Sequence, residues 1–138
     1  MPRCNIGLVA LLAAAVLAEG RSLAEEVDWR CRNADVELRC GDGRCQVAPE
    51  HTPGAFSLSH SGAVSLCLYT GCWETEAHVL VRGDETISIQ AHGVPFSTSE
   101  NPGLIVDLGA TIDVSRRIAV VSVIDFVLPM LCEAVPPA

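Results

Sequence analysis

The chain has 138 residues and a formal net charge of −8, with no lysine among its nine basic residues. Because nucleic acids and anionic lipid surfaces attract basic faces, this acidic balance argues against both as partners. It favours a basic partner, although solubility alone is the simpler explanation of the charge.

Residues 1–24 have the pattern of a secretory signal peptide. Arg3 precedes an apolar run over residues 6–18, and small residues suit cleavage after Ala18 or Ala24. The run has 13 residues, whereas a membrane-spanning helix needs about 20. We therefore expect an exported protein, periplasmic or secreted, in which residues 25–138 form a single domain without a membrane span.

Six of the seven cysteines remain after this cleavage, because Cys4 lies in the signal peptide. An even number in a small exported domain predicts a disulfide framework. Two pairs share a C-x4-C spacing with glycine in the loop, and the other two cysteines lie near the ends of the domain. A crosswise bond between the two loops is the main rival to the expected bonds, which are Cys40–Cys45, Cys67–Cys72 and Cys31–Cys132.

The mature chain begins with a charged segment, residues 25–34, that Trp29 and Cys31 would anchor. Alternation of apolar and polar residues then predicts strands over residues 36–40 and 44–48, with a glycine-containing turn between them. The central stretch, residues 55–74, alternates in the same way and predicts a hairpin that turns at Ser61, Gly62 and Ala63.

The apolar residues of this hairpin predict its register. Pairing Leu58 with Leu66 and Phe56 with Leu68 places every apolar residue on one face and needs a three-residue loop. A two-residue loop would divide the apolar residues between the two faces, so we expect the longer one.

The second half of the chain continues the strand pattern. Residues 77–82 and a return strand ending near Ala91 predict another hairpin, with a loop of two or three residues. Residues 92–103 contain two prolines, which argues against regular structure. Three more strands are predicted over residues 104–108, 111–114 and 118–128, with a turn at Gly109-Ala110 and an end at Pro129.

About eight strands joined by short turns predict an all-β fold. The expected form is a small antiparallel meander, stapled by disulfides, that closes into a barrel or a two-layer sandwich. Either closure buries one face of the sheet and protects its edge strands.

Two resemblances add to this interpretation. The segments SLCLYTGCWE (residues 65–74), VPFSTS (94–99) and LPMLC (128–132) resemble a group of small exported bacterial proteins with no assigned activity. Cysteines near both ends of the domain, Cys31 and Cys132, resemble the plan of periplasmic inhibitors of c-type lysozyme, which are small disulfide-tied β-barrels. The second resemblance implies an inhibitor, but the single tyrosine and the two C-x4-C loops depart from that plan, so no inhibitory residue is carried over.

Catalytic and metal-binding patterns are weak in this sequence. The four cysteines of the C-x4-C loops could hold zinc, but export favours disulfides. The histidines never fall in an H-x-x-x-H spacing, and no serine lies in a G-x-S-x-G elbow. Glu74 and Glu76 would share one face of a strand, where a solvated pair is more common than a glycosidase site. We therefore predict no enzyme activity, no catalytic or metal-binding residue, and no cofactor.

The predicted binding residues are Tyr69, Trp73 and Glu74, beside the Cys67–Cys72 loop. Aromatic side chains on a rigid loop bind partners with little loss of entropy. The alternative is that Trp73 fills one end of the barrel. The sequence thus favours a non-enzymatic binding or inhibitor module, with a protein or an envelope component as its partner. The alternative function is a structural envelope protein without a small ligand.

Overall fold

The computed structural model describes residues 27–33, 35–68, 71–97 and 104–138. Within these residues the fold is built from β-strands. The signal-peptide prediction lies outside these residues. No helix in the described part of the chain is long and apolar enough to cross a membrane. The eleven strands are β1 (Asp28–Asn33), β2 (Leu38–Gly41), β3 (Arg44–Val47), β4 (Gly54–Leu58), β5 (Ala63–Leu68), β6 (Gly71–Glu76), β7 (Val79–Arg82), β8 (Thr86–Pro95), β9 (Ile105–Asp113), β10 (Ile118–Val123) and β11 (Phe126–Val135).

All strands belong to one antiparallel sheet in the order β6-β5-β4-β1-β11-β10-β9-β8-β7. Two meanders, β4 to β6 and β7 to β11, are joined by β1, which pairs with both β4 and β11. The hairpin of β2 and β3 lies off this path and pairs with the start of β11. The first segment was not predicted to be a strand, yet its alternation of buried Trp29, Cys31 and Asn33 with exposed arginines is a strand pattern.

The sheet curls into a half-barrel. Its curl brings β6, at one end of the strand order, to the residues that follow β8 near the other end. Trp73 forms an antiparallel bridge with Phe96, and Ser97 N–H donates to Cys72 O at 2.8 Å. The inner face thereby wraps around the core. The predicted all-β antiparallel fold is confirmed, and of the two predicted forms, barrel and two-layer sandwich, the curled sheet is the barrel-like one.

The core consists of alternate residues from nearly every strand of the curled sheet. Leu58, Ile87 and Ile112 are among the fully buried side chains. The intervening residues on the same strands face outward; most are polar on β1, β6 and β8, whereas Ile118 and Val120 on β10 are exposed apolar side chains. Burial of one face and exposure of the other explains the period of two in the sequence.

Each disulfide joins residues that lie directly opposite on paired antiparallel strands. Their Cα–Cα distances are 4.0 to 4.1 Å. Cys31–Cys132 is buried and ties the first strand to the last across 101 residues, whereas Cys40–Cys45 and Cys67–Cys72 each cross-link a hairpin. These are the three bonds predicted from the cysteine spacing.

The register predicted for the central hairpin is wrong. Leu58 pairs with Val64 and Phe56 pairs with Leu66. The loop does have three residues, 60–62, since Ser59 N–H donates to Ala63 O at 2.8 Å. Shifting β5 by two residues along β4 keeps every side chain on the same face of the sheet. The apolar pattern therefore cannot distinguish the two registers.

The turn predicted at Gly109-Ala110 is also wrong, because both residues lie inside the continuous strand β9. Gly109 lies opposite Gln90 on one side and opposite Ser122 on the other. A Cβ at Gly109 would lie 3.1 Å from the Ser122 hydroxyl. This glycine therefore allows close approach of a neighbouring side chain and is not needed for a turn.

The apolar run at residues 118–128 forms parts of two strands. β10 ends at Val123, and a two-residue turn, Ile124-Asp125, leads into β11. The turn carries no glycine, asparagine or proline, and Asp125 is its single turn-favouring residue, so the sequence marks it only weakly.

Pro129 does not end the strand, as predicted, but lies within β11. Its carbonyl accepts a hydrogen bond from Asn33 Nδ2 at 2.9 Å. The nitrogen of Pro129 points to the same side of the strand as this carbonyl. On that side β11 pairs with β2 up to Val127 and with β1 from Leu131 onward, so Pro129 lies between the two partners. A proline is tolerated there because no strand partner requires its N–H.

The connection predicted to be irregular begins as regular structure. β8 continues to Pro95, and its register with β9 shifts between Ala91 and Val94, which is a β-bulge. The preceding hairpin has the shorter of the two expected loops, Asp84-Glu85, closed by Gly83 N–H donating to Thr86 O at 2.9 Å.

Candidate functional site

An open groove of about 590 Å³ crosses the outer faces of β1, β4, β5 and β6. The side chains that give it its chemistry are hydroxyls and charged groups: Asp28, Arg30, Ser57, Ser65, Glu74 and Glu76.

The groove follows from the sizes of side chains in one cross-strand row. The pairs Arg30–Ser57, Ser57–Ser65 and Ser65–Glu74 place four residues side by side on four neighbouring strands. The two central strands contribute short serines, and the two outer strands contribute long charged side chains. Three strand spacings separate the Cα atoms of Arg30 and Glu74 by about 14 Å. The serines form the floor and the charged residues form the walls.

A fixed turn closes one end of the groove. Asp28 Oδ1 accepts the His60 backbone N–H at 2.7 Å and lies 3.0 Å from His60 Nδ1. These hydrogen bonds lower the pKa of Asp28, with the backbone bond as the main cause. Arg82 Nη2 donates to the carbonyl of Ser59 at 2.7 Å. The turn between β4 and β5 is thereby held from both sides.

The charge of the groove is acidic. Asp28, Glu74 and Glu76 provide three carboxylates, against the single guanidinium of Arg30. The Ser65 hydroxyl donates to Glu74 Oε1 at 3.4 Å, which orients that carboxylate along the wall. The geometry therefore suits a cationic group approaching from solvent, with serine hydroxyls available as further hydrogen-bonding groups.

The predicted binding residues are divided by the structure. Glu74 is exposed and lies in the wall of the groove. Trp73 is 4% exposed and its ring centroid lies 4.6 Å from that of Phe96, so its indole is part of the core. Adjacent residues of a strand face opposite sides, so Trp73 and Glu74 cannot form one contact surface. Tyr69 lies outside the described residues, and its role stays a prediction.

Sequence reasoning missed Arg30 and the two serines of the groove floor. Ser57 and Ser65 were visible as the polar positions of the central hairpin. Their position beside Arg30 depends on β1 entering the sheet next to β4, which the sequence does not indicate.

A second cleft of about 580 Å³ lies beside the buried carboxylate of Glu37. Glu37 is 1% exposed. Its Oε1 accepts from Arg39 Nε at 2.6 Å and its Oε2 accepts the Thr52 backbone N–H at 3.0 Å. Arg39 also stacks over the Phe126 ring, with its guanidinium carbon 3.4 Å from the centroid. Both oxygens of this carboxylate are occupied, and its hydrogen bonds tie β2 to the loop that follows β3.

The guanidinium of Arg39 attaches the β2–β3 hairpin to the turn between β10 and β11. Burial acts to lower its pKa, but the hydrogen bonds to Glu37 and Asp125 raise the pKa of Arg39 above its usual value. Arg39 Nη1 lies 3.3 Å from Asp125 Oδ1, in the turn between β10 and β11. The ion pairs thus connect the hairpin to a turn more than eighty residues away in sequence.

The described residues contain no group of three or more histidine, cysteine or acidic side chains arranged to hold a metal ion. The cysteines of both C-x4-C loops are bonded in disulfides, so they are not available as zinc ligands.

Comparisons of the chain with protein-family models, with curated proteins and with solved structures found no match. The resemblances to small exported bacterial proteins and to c-type lysozyme inhibitors therefore stay predictions.

Proposed function

We propose that the protein is an exported, non-enzymatic binding module that holds a basic partner in the groove over β1, β4, β5 and β6. The observation that carries this proposal is the acidic, hydroxyl-lined groove, whose volume of about 590 Å³ is within the usual range for binding sites. The partner is a protein or an envelope component that presents lysine, arginine or another cationic group.

Rigidity of the groove supports this function. Cys67–Cys72 links the two strands on one side of the groove, and Cys31–Cys132 links β1 to β11 on the other. A surface that is already ordered loses little conformational entropy when a partner binds. The acidic chain as a whole attracts a basic partner before contact, and this steering weakens with salt.

Three disulfides are consistent with an exported protein. Residence in the periplasm or the external medium belongs to the same proposal. Blocking export, and then testing whether the disulfides still form, separates this location from an intracellular one.

Binding of synthetic peptides to the oxidised protein tests the proposal. A decapeptide rich in lysine and arginine should bind with an affinity that falls as salt rises, whereas its glutamate-rich counterpart should not bind. The double substitution Glu74→Gln with Glu76→Gln should weaken binding at least tenfold. The matched control removes two exposed charges outside the groove, Glu50→Gln in the loop before β4 together with Glu85→Gln in the turn between β7 and β8, and should leave binding unchanged.

Equal loss of affinity in the control would mean that net charge, and not the groove, binds the peptide. Failure of any basic peptide to bind, together with fractionation of the protein in insoluble wall material, would favour the structural envelope protein instead.

The inhibitor form of the proposal has its own assay, suggested by the resemblance to c-type lysozyme inhibitors. Adding the protein to a c-type lysozyme in a cell-wall lysis assay should reduce lysis at a stoichiometric ratio. If a large excess of the protein does not reduce lysis, it is not an inhibitor of that lysozyme. The peptide experiment would then remain the test of the general binding function.

A further inference from the structure

The chain from β6 to β7 lies against β8 along a seam, where β6 meets the residue after β8 and β7 pairs with β8. At one end of this seam Trp73 forms its bridge with Phe96. At the other end the backbone N–H of His78, between β6 and β7, donates to Gln90 O at 2.9 Å and extends the pairing of β7 with β8. The bulge of β8, where its register with β9 shifts between Ala91 and Val94, lies between these two points.

Two side chains accept the amide hydrogens of the bulge. His92 N–H donates to His78 Nδ1 at 2.8 Å, and Gly93 N–H donates to Asp107 Oδ1 at 3.0 Å. Gly93 has a φ of +64°, a conformation that glycine adopts without strain. The His78 ring therefore replaces a backbone carbonyl as the partner of a strand amide, and it does so across the seam.

We propose that His78 is a pH-operated latch of this seam. An imidazole nitrogen accepts a hydrogen bond only while it carries no proton. In the neutral ring of His78 the proton is on Nε2, and the lone pair of Nδ1 accepts the His92 N–H. A second proton, taken from solvent, binds at Nδ1 and removes that lone pair. Since histidine side chains change charge between pH 5 and 8, the latch is closed above neutral pH and released in acid.

The charged groups around His78 act in both directions. The His92 ring stacks on it at a centroid distance of 6.0 Å, so two imidazolium ions repel each other. Asp107, on β9, lies 3.5 Å from His92 Nδ1 and offsets part of that repulsion. A protonated Nδ1 cannot accept a hydrogen bond, whatever the surrounding charges.

Asp107 keeps its hydrogen bond from the Gly93 N–H when the hydrogen bond between His92 and His78 breaks. The Gly93 N–H is the main cause that lowers the pKa of Asp107, so this carboxylate stays ionised at the pH where histidines titrate. Release is thus confined to the amide of His92 and to the β6–β7 segment that carries the His78 ring.

Nuclear magnetic resonance of the oxidised, ¹⁵N-labelled protein tests the latch directly. Long-range ¹H–¹⁵N spectra at pH 8 should show His78 with its proton on Nε2. The protection factor of the His92 amide, corrected for the intrinsic pH dependence of exchange, should fall about fivefold between pH 7.5 and 5.5, the size of one net hydrogen bond. The amide of the buried strand residue Ile112 serves as the internal control and should not change.

Three variants separate the latch from general histidine titration. His78→Phe should show the low protection at both pH values. His92→Ala keeps the amide and the His78 acceptor, so it should retain the pH response. His51→Ala, in the loop before β4, should behave like the parent.

A proton on Nδ1 of His78 at pH 8 would overturn the proposal, as would equal protection of His92 at the two pH values. A pH response that persists in His78→Phe would do the same. If His78→Phe does not fold, the His78 tautomer and the protection factors of the His92 amide, both measured in the parent protein, still test the proposal. None of these results depends on peptide binding, so failure of the latch and failure of the groove are distinguishable.

Discussion

Trp73 and Glu74 are neighbours on β6 with opposite environments. The indole of Trp73 packs against Phe96 in the core, whereas the carboxylate of Glu74 stands in the wall of the outer groove. Both were predicted to bind a partner because they follow the same cross-linked loop. Strand alternation assigns only Glu74 to the surface where a partner can reach it.

Stability measurements on these two neighbours check that assignment. Trp73→Ala should lower the free energy of unfolding by about 3–5 kcal/mol, because a large buried ring is lost and a cavity remains. Glu74→Ala is the matched control on the same strand and should change stability by less than about 0.5 kcal/mol. Urea unfolding of the oxidised protein measures both. Equal, small effects would place the indole at the surface.

The turns of this fold show which elements a sequence marks and which it does not. The central turn contains Gly62 at a φ of +103° and is recognisable from the sequence. The turn between β10 and β11 uses Ile124 at a φ of +55°, a conformation that β-branched residues rarely adopt. Its side chain is 61% exposed, so packing does not explain the choice of isoleucine.

Replacing Ile124 by glycine should stabilise the protein by about 1 kcal/mol, because glycine adopts a positive φ without strain at the first position of a two-residue hairpin turn. The control is Ile118→Gly, an exposed isoleucine on β10, which should instead destabilise the protein by about 1 kcal/mol. Thermal and urea unfolding give both values. Destabilisation of similar size in both variants would show that the turn is not strained.

At the scale of the whole molecule, one bond holds the ends of the domain together. Cys31–Cys132 joins β1 to β11 at the centre of the strand order. Its closure of a 101-residue separation restricts the unfolded chain far more than the two hairpin bonds, whose separations are 5 residues.

Removing this bond should therefore have the largest effect. The double variant Cys31→Ala with Cys132→Ala should lose about 4–5 kcal/mol in the chain-entropy model. Removing Cys40–Cys45 in the same way should lose about 2 kcal/mol. Alkylation of the native mature protein followed by intact mass measurement should show no label, since the six cysteines that follow the predicted signal peptide are bonded. A larger loss from the hairpin bond would mean that local geometry outweighs chain entropy.

The sequence by itself determined the features that depend on neighbours along the chain. Alternation of apolar and polar residues indicated strands and their buried faces, because side chains of a strand point to opposite sides in turn. The short spacing of Cys40 with Cys45 and of Cys67 with Cys72 indicated hairpin bonds. The outward position of Glu74 followed from the same alternation.

Only the tertiary structure decided which strands lie side by side and in what register. The entry of β1 next to β4 and the meeting of Trp73 with Phe96 depend on closing the whole sheet, and the pairing of Leu58 with Val64 depends on which residues form the turn. Registers that differ by two residues bury the same side chains, so the local apolar pattern does not distinguish between them. The groove and the seam arise from these distant pairings, which is why neither could be predicted from the sequence.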